Sequence, residues 1–293
     1  MNEIVVLSGK GGTGKTSIVG SLAALAENKV LADCDVDAAD LHLLLSPTVR
    51  EEHEFWSGQV AQIDRELCTE CGLCQQLCRY DAIRDFEVDP VSCEGCGFCS
   101  RICPVEAIEM KECLSGRWFI SDTRFGPLVH ARLGIAQENS GKLVALVRER
   151  ARDIAEQNGY QYVVSDGPPG IGCPVISSLS GAHLAVLVAE PTLSGIHDLE
   201  RVVGVARHFG VPALVCINKH DLNEQNSAAI EAYCRQEGVP LAARIPFDNA
   251  VIESLVRGVP VVEYSTGPVA REIGSLWEAV SAALKQKSAS RSS

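Results

Sequence analysis

The sequence has no excess of positive charge. Lys and Arg together number 26 against 38 Asp and Glu, which gives a formal net charge of −12 at pH 7. DNA and anionic membrane surfaces attract cationic patches, so this balance argues against either as the main partner of the protein. We therefore expect no nucleic-acid partner.

Long hydrophobic runs are also missing. No stretch approaches the roughly 20 apolar residues that a membrane-spanning helix needs, so we expect no membrane span. The first residues, MNEIVVLSGKGG, contain an acidic Glu3 and only a short apolar run, which is unlike a signal peptide. These absences predict a cytoplasmic protein. Thiols stay reduced in that compartment, so the 13 cysteines indicate metal binding rather than disulfides.

Short apolar runs alternate with amphipathic stretches along most of the chain. Buried strands are predicted at 3–8, 29–33, 162–166, 184–189 and 213–218. Helical periodicity separates them, and a last helix is predicted at about 268–285. This alternation predicts an α/β fold with a parallel sheet covered by helices on both faces. A tail at 288–293 is predicted to be disordered.

A glycine-rich segment follows the first predicted strand. It reads GKGGTGKT and matches G-x-x-x-x-G-K-[ST] between a strand and a helix. Glycines let backbone N–H groups surround phosphates, and the helix N-terminus adds a positive dipole. We expect Lys15 to reach the β- and γ-phosphates of ATP, and Thr16 to hold Mg²⁺. The predicted nucleotide-binding residues here are Gly9, Lys10, Gly11, Gly12, Thr13, Gly14, Lys15, Thr16 and Ser17.

The second lysine of this segment, Lys10, gives it a resemblance to the MinD/ParA ATPases, which include the nitrogenase iron protein. The resemblance covers nearly all of the chain outside one cysteine-rich segment. It implies a homodimer with bound nucleotide, in which Lys10 of one chain reaches the nucleotide of the other. Lys10, Lys15 and Asp35 are then the expected catalytic residues.

Later segments extend the resemblance to the MinD/ParA ATPases. In LADCDVDAADL it implies that Asp35 orients the attacking water and that Asp33 lies near Mg²⁺. In VVSDGPPG it implies that Asp166 binds Mg²⁺ through water and that Gly170 senses the γ-phosphate. INKHD and RIPFD resemble the base-side segments of that family. They place Asn218 on the adenine and, in RIPFD, Pro246 and Phe247 near it.

Eight cysteines lie in the segment CTECGLCQQLCRYDAIRDFEVDPVSCEGCGFCSRICP. They form two C-x₂-C-x₂-C-x₃-C runs, 25 residues apart, which is an internal repeat. The segment resembles a bacterial ferredoxin with two [4Fe–4S] clusters, in which the fourth cysteine of each run ligates the other cluster. The expected ligand sets are Cys68, Cys71, Cys74 and Cys103, and Cys78, Cys93, Cys96 and Cys99. Zinc is the alternative, although zinc sites usually pair two C-x₂-C knuckles.

The first run departs from the ferredoxin pattern, because Arg79 stands where proline is usual. Five cysteines lie outside the two runs. Cys34, Cys216 and Cys234 are expected to be small core residues. Cys113 has no assigned role. Cys173 is expected to be a structural or switch-linked thiol rather than a ligand.

These features predict an ATPase domain at 1–55 and 114–287, with a ferredoxin-like insert at 56–113. The leading hypothesis is an ATP-driven dimer switch coupled to electron transfer with a protein redox partner. One alternative is an iron–sulfur assembly or carrier ATPase. Its Mrp-type relatives carry a C-terminal C-x-x-C, whereas this chain has no cysteine after Cys234. The other alternative is a MinD/ParA-like positioning protein.

Overall fold

The structure is a computed structural model that describes residues 1–134 and 139–291. The chain folds as two compact units. The first unit comprises Met1–Glu52, Trp118–Arg132 and Ser140–Ser293. The second unit comprises His53–Arg117 and Leu133–Asn139, and so overlaps the insert expected at 56–113.

The strands and helices follow the alternation that the apolar runs predict. The strands are β1 (Asn2–Ser8), β2 (Lys29–Asp33), β3 (Thr48–Ile63), β4 (Ile83–Arg84), β5 (Glu87–Val88), β6 (Ile108–Thr123), β7 (Gly126–Leu133), β8 (Tyr162–Pro169), β9 (Leu184–Ala189), β10 (Ala213–Asn218) and β11 (Leu241–Ile245). The helices are α1 (Lys15–Leu25), α2 (Leu41–Leu45), α3 (Leu73–Gln76), α4 (Phe98–Ile102), α5 (Ser140–Asn158), α6 (Cys173–Leu179), α7 (Leu193–His208), α8 (Glu224–Glu237), α9 (Asn249–Val256), α10 (Val261–Tyr264) and α11 (Pro268–Arg291).

A nine-stranded sheet has the order β11-β10-β9-β1-β8-β2-β7-β6-β3. The strands from β11 to β7 pair in parallel, as expected for strands that are connected through helices. The predicted α/β fold with a parallel sheet is therefore confirmed. Among the helices of the described residues, none combines the length and hydropathy that crossing a bilayer requires.

The central strand β1 shows how both faces of the sheet are covered. Ile4 and Val6 point into one apolar cluster, which includes residues of α1 and α11. Val5 and Leu7 point into another cluster, which includes residues of α6, α7 and α8. Successive side chains of a strand face opposite sides, so an unbroken apolar run is buried on both. Packing on both faces therefore fixes the position of the end of β1, where the glycine-rich segment begins.

The second unit contains two similar halves. α3 and α4 each follow a glycine with positive φ, 78° at Gly72 and 69° at Gly97. The Asp64 N–H donates to the carbonyl oxygen of Ala107 at 2.8 Å. The Asp89 N–H donates to that of Ala82, also at 2.8 Å. Asp64 and Asp89 are 25 residues apart, as are Ala82 and Ala107, so the two bonds join equivalent positions of the sequence repeat. Each half of the unit therefore contacts the other.

The C-terminus departs from the expectation. The last helix, expected to end near 285, extends to Arg291. No glycine or proline follows Leu284 in the sequence, so no residue that commonly stops a helix is present there. Of the tail predicted to be disordered, 288–291 belong to α11, and 292–293 lie outside the described residues.

Candidate functional site

The candidate site lies where β1, β2 and β8 end. Asp33 of β2 is paired in register with Asp166 of β8, and Val6 of β1 is also paired with Asp166. The strands are parallel neighbours, so their carboxyl ends meet at one edge of the sheet. Ligands bind at this edge in open α/β sheets. The acids and the glycine-rich segment that the sequence singled out are thus brought together.

The glycine-rich segment needs glycine at specific positions. Gly12 and Gly14 have φ of 78° and 83°, in the left-handed region that other residues rarely adopt. A Cβ on Gly14 would lie 2.4 Å from Nδ2 of Asn218, and one on Gly9 would lie 2.3 Å from Cβ of Asp198. The segment therefore passes close to two later parts of the chain before α1 begins.

Two cavities adjoin this segment. The larger, of about 590 Å³, is lined by Gly11 to Ser17, by Asp35 and Asp37, and by Pro168 and Pro169, among others. The smaller, of about 240 Å³, is lined by Gly12, Gly14, Asn218, Pro246 and Phe247, among others. The predicted phosphate-side and base-side residues thus fall into adjacent cavities of the same unit.

Lys15 occupies the centre of the acidic residues. Its Nζ lies 2.6 Å from Oδ1 of Asp166 and 3.4 Å from Oδ2 of Asp35, and its side chain is 6% exposed. Burial alone would lower the pKa of Lys15, but the carboxylates of Asp166 and Asp35 outweigh it and raise the pKa. The ammonium is therefore charged and close to the cavity where phosphates are expected.

Asp166 has one oxygen that fits a cation. Its Oδ2 is buried and has no hydrogen-bond partner among the described residues. A buried carboxylate oxygen is costly unless it meets a cation, a donor or water. This orphaned oxygen, with the hard carboxylate donor that Mg²⁺ prefers, fits the magnesium expected at Asp166. Thr16, the other expected magnesium residue, lines the larger cavity.

Asp33 is paired with Asp166, and its expected place near Mg²⁺ remains a prediction. Its oxygens accept hydrogen bonds from the backbone N–H groups of Asp35 and Leu41, each at 3.2 Å. Complete burial, and then the neighbouring Asp166, raise the pKa of Asp33 well above its ordinary value. The side chain holds the segment between β2 and α2, including Asp35, in place. Sequence reasoning missed this positioning role.

Asp35 lines the larger cavity, where it could orient a water molecule. Burial raises the pKa of its carboxyl, although the Lys15 ammonium opposes the shift. A carboxylate with a raised pKa is a better hydrogen-bond acceptor for water.

Gly170 contacts the end of β1 rather than the cavity. Its φ is 91°, and its N–H donates to the Ser8 carbonyl oxygen at 2.9 Å. Its neighbours Pro168 and Pro169 line the larger cavity. The expected role of Gly170 at the γ-phosphate remains a prediction, which requires this N–H to leave Ser8.

Asn218 is tied to the glycine-rich segment. Its Nδ2 donates to the Thr13 carbonyl oxygen at 2.8 Å, and its Oδ1 accepts the N–H of Lys219 at 3.0 Å. The nearby Asp221, which sequence reasoning missed, accepts the N–H of Phe247 at 2.7 Å. Asn218 therefore connects the phosphate-side loop to the base-side loop, and its predicted contact with adenine remains a prediction.

Lys10 extends away from the larger cavity. Its Nζ lies 3.4 Å from Oε2 of Glu190, and donates to Oγ1 of Thr192 at 3.3 Å and to Oγ of Ser194 at 3.4 Å. Sequence reasoning missed these partners because they follow β9, far along the chain. Only a signal that reports on spatial neighbours could have found them.

The cysteines of the two runs occupy equivalent positions in the second unit. Cys71 and Cys96 are exposed, whereas Cys74 is buried. Cys74 forms a small apolar cluster with Ala61, Ile83 and Ile108. Burial is the main cause that raises the pKa values of the Cys74 and Cys99 thiols. Four further thiols pack partly buried against this cluster, namely Cys78, Cys93, Cys99 and Cys103.

Metal binding by these cysteines has limited support from geometry. Within residues 1–134 and 139–291, no three His, Cys, Asp or Glu side chains form a group that could hold a metal ion. Zinc, the alternative expected from the sequence, would need its ligand sulfurs about 2.3 Å from one ion. A [4Fe–4S] cluster is larger and binds each thiolate at a different iron, so thiols spread around an apolar cluster fit it by donor chemistry. The predicted clusters remain a prediction.

The five other cysteines differ in their exposure. Cys34, Cys216 and Cys234 are buried in the first unit, as expected for core residues. Burial raises the pKa of Cys216 to about 12 and that of Cys234 to about 11, so both remain thiols. Cys173 is exposed at the start of α6. Cys113 donates to the Ser57 carbonyl oxygen at 3.2 Å.

Comparisons with known proteins agree on one family. The chain matches the model of the CobQ/CobB/MinD/ParA nucleotide binding domain over residues 4–261. It is 37% identical over 227 residues to the uncharacterised protein MJ0578 of Methanocaldococcus jannaschii, covering 76% of this chain and 80% of that protein. It is 27% identical over 273 residues to the septum site-determining protein MinD of Synechocystis, covering 89% and 82%.

Solved structures show the same fold. The structure of MinD of Pyrococcus horikoshii complexed with Mg-ADP matches with a TM-score of 0.58 at 22% identity, covering 95% of each chain. The ATP complex of the Cyanothece McdA variant D38A also matches with a TM-score of 0.58, at 16% identity, covering 97% of this chain and 96% of that one.

Proposed function

The chain belongs to the CobQ/CobB/MinD/ParA family of nucleotide-binding proteins, and on that premise we propose that it is an ATPase that dimerises with ATP. The observation that carries the proposal is the arrangement of Lys15, Asp35 and the orphaned Asp166 oxygen beside a cavity of about 590 Å³. Mg-ADP bound to the MinD of Pyrococcus horikoshii supports the choice of nucleotide.

Lys15 and the acids share the work of binding the triphosphate. The ammonium of Lys15 now neutralises Asp166 and Asp35. On ATP binding we expect it to turn to the β- and γ-phosphates, while backbone N–H groups from Gly11 to Thr16 hold the phosphate oxygens. Thr16 and Asp166 would hold Mg²⁺, which supplies the positive charge that the displaced lysine no longer gives to the acids.

Asp35 is placed to orient water for hydrolysis. Asp33 fixes its backbone, and Lys15 contacts its carboxylate only at 3.4 Å. Once Lys15 moves to the phosphates, Asp35 can accept a hydrogen bond from water at the open side of the γ-phosphate. Lys10 of a second chain would add positive charge to the transition state, as an arginine finger does.

The test combines binding with oligomeric state. We expect the protein to sediment as a monomer with ADP and as a dimer with a non-hydrolysable ATP analogue and Mg²⁺, and to release phosphate slowly from ATP. A monomer under both conditions, or no nucleotide binding, would contradict the proposal.

The names of the relatives bear on the biological role. Several are septum site-determining proteins, and this favours a MinD/ParA-like positioning role over the electron-transfer hypothesis. Positioning by such a switch requires a surface or partner that binds one nucleotide state only. The test is whether recruitment to a cellular site depends on the ATP-bound dimer. Uniform distribution of both wild type and a hydrolysis-blocked variant would contradict this role.

A second candidate function is suggested by the second unit. Through the bonds of Asp64 with Ala107 and of Asp89 with Ala82, each half of the second unit contacts the other. The fourth cysteine of each run therefore belongs to a half that contacts the other run. This arrangement supports two [4Fe–4S] clusters with crossed ligation, held by Cys68, Cys71, Cys74 and Cys103, and by Cys78, Cys93, Cys96 and Cys99. Such clusters would supply one-electron transfer.

The cluster hypothesis is tested by anaerobic reconstitution. About eight irons and eight sulfides per chain are expected, with [4Fe–4S] signals in electron paramagnetic resonance after reduction. A change of midpoint potential with the ATP analogue would support coupling of the switch to electron transfer. Stable clusters whose midpoint potential does not change with nucleotide would favour the positioning role. Clusters that transfer readily to an apoprotein would favour the assembly alternative.

A further inference from the structure

One carboxylate contacts two lysines of the nucleotide-binding loops. Glu190 follows β9 directly, and its Oε1 lies 2.6 Å from Nζ of Lys219 while its Oε2 lies 3.4 Å from Nζ of Lys10. Lys10 belongs to the glycine-rich segment. Lys219 follows β10 and lines the smaller, base-side cavity. Neither the sequence patterns nor the expected chemistry gave Glu190 a role.

The two contacts differ in strength. The Lys219 contact is short, and the backbone of Lys219 is held at a φ of 56° beside Asn218. The Lys10 contact is long, and so are its bonds to the Thr192 and Ser194 hydroxyls, at 3.3 and 3.4 Å. The Lys10 side chain is also 33% exposed. Long, partly hydrated contacts are weak, so Lys10 is held in a way that can be reversed.

The frame around Glu190 is rigid by comparison. Thr192 caps α7 by accepting the N–H of Gly195 at 3.0 Å. A Cβ on Gly195 would lie 2.3 Å from the carbonyl oxygen of Glu190. One on Gly9 would lie 2.3 Å from Cβ of Asp198 in α7. The carboxylate is thus fixed relative to the glycine-rich segment, and the Lys10 side chain is the part that can move.

We propose that Glu190 is a positioning residue that holds Lys10 outside the nucleotide cavity of its own chain and releases it when a second chain closes over bound ATP. The proposal rests on the proposed function, because release matters only if Lys10 acts in a nucleotide-bound dimer. It goes beyond that function by naming the group that opposes closure. Lys219 competes for the same carboxylate and thereby weakens its hold on Lys10.

The release of Lys10 is measured through the dimer Kd at saturating ATP analogue and Mg²⁺. Glu190→Gln removes the charge and keeps the shape, so closure no longer has to break the contact. Exposed ion pairs are weak, so we expect about a threefold gain per chain and about a tenfold tighter dimer, which contains two copies. Lys219→Ala removes the competitor and should shift the dimer Kd in the opposite direction. Glu237→Gln, at the exposed pair with Arg207, is the matched control and should leave the Kd unchanged.

The effect of Glu190→Gln on dimerisation should depend on the presence of Lys10. In a Lys10→Ala background, Glu190→Gln should leave the dimer Kd unchanged, because the contact is already gone. A second measurement needs no dimer: the rate at which an amine-reactive reagent labels Lys10 in the nucleotide-free chain. We expect this rate to rise about threefold in Glu190→Gln, because Lys10 loses its ion pair with Glu190 and its amine is freer to meet the reagent. Lys111, paired with Glu109 in the second unit, should be labelled at an unchanged rate.

The outcomes separate the two proposals. Equal tightening with and without Lys10, or unchanged labelling of Lys10, would overturn the role of Glu190 and leave the ATPase proposal standing. A wild-type chain that binds no analogue, or stays monomeric with it, would overturn both. Faster labelling of Lys10, together with a gain in dimerisation that Lys10→Ala abolishes, would support both.

Discussion

The two units of the chain differ in the titratable side chains that they group together. In the first unit, Lys15 lies among Asp33, Asp35 and Asp166 and neutralises part of their charge. Two extensive apolar clusters hold these groups in place from both faces of the sheet. In the second unit, the grouped side chains are thiols, and burial is the main cause that raises the pKa values of Cys74 and Cys99, with neighbouring cysteines adding to it.

The apolar interiors differ as well. One buried cluster of the second unit consists of Ala61, Cys74, Ile83 and Ile108, with partly buried neighbours. Units as small as this one usually need disulfides, metals or another stabilising group. The first unit thus builds its site on extensive apolar clusters, and we predict that the stability of the second unit depends on a group bound at its thiols.

The largest expected effect concerns the stability of the second unit. Removing iron from the reconstituted protein with a chelator should unfold residues 53–117, because metal binding to thiolates contributes on the order of 10 kcal/mol to the folding of such small units. Limited proteolysis should then cut within the second unit, while ATP binding by the first unit survives. Equal protease resistance before and after chelation would remove the contrast between the two units.

Crossed ligation can be examined within the same experiment. Cys103→Ser should disturb the cluster of Cys68, Cys71 and Cys74, although it lies in the second run. Cys113→Ser is the matched control, as a cysteine of the same unit outside both runs. Loss confined to the cluster of the second run would show that ligation is not crossed.

The next largest effect concerns Lys15. Lys15→Met should lower the rate of ATP hydrolysis by about a hundredfold or more, because the charge stabilising the γ-phosphate in the transition state is lost. Phosphate release under saturating ATP measures it. Lys111→Met, at an exposed pair in the second unit, is the control. Retained hydrolysis in Lys15→Met would mean that the site lies elsewhere.

A smaller effect follows from the buried Asp33. Its pKa is raised above 3.8 in the folded protein, so the folded state keeps this proton to higher pH than the unfolded state does. The stability that this gives is present at low pH and is lost as pH rises towards the folded pKa. The free energy of unfolding of the nucleotide-free protein should therefore fall by at most about 1.4 kcal/mol per pH unit for this group.

The variant Asp33→Asn has no such proton to lose. Its free energy of unfolding, from urea titrations at several pH values above 3.8, should depend less steeply on pH than that of the wild type. Asp35 shifts in the same direction and leaves a residual slope in the variant. The same slope in both proteins would mean that Asp33 does not titrate in this range.

The smallest effect concerns Asn218. Asn218→Ala removes the hydrogen bond to the Thr13 carbonyl oxygen, which costs on the order of 1 kcal/mol, and should weaken ATP binding about fivefold. Isothermal titration with an ATP analogue measures it. Asn226→Ala, which removes a bond to the Pro191 carbonyl oxygen elsewhere in the unit, is the control. Equal affinity of Asn218→Ala and wild type would assign Asn218 no part in nucleotide binding.

The parts of the site that the sequence predicts are those encoded locally. The glycine-rich segment and Asp35 each follow a strand, Asp166 lies in the second half of β8, and parallel pairing brings these positions together without further information. Glu190 also follows a strand, but its meaning depends on Lys10, which approaches only because β9 lies beside β1. Long-range neighbours of this kind leave no local signal in a single sequence.

Backbone-mediated roles were equally hidden. Asp33 was expected near Mg²⁺, which remains a prediction, and the structure adds that both of its oxygens accept backbone N–H groups. A strand-end aspartate can serve either purpose, and the choice depends on the path of the chain after the strand. The end of α11 was misjudged for another reason, because polar composition was taken as a helix stop although no glycine or proline occurs there.

The reciprocal bonds of the second unit have a consequence for protein synthesis. The Asp64 N–H finds its partner only when Ala107 has been translated. The first run of cysteines therefore leaves the ribosome before the half that closes on it exists. During that interval the first run lacks the half of the unit that contacts it in the folded chain, so its thiols are more accessible to solvent than in the folded unit.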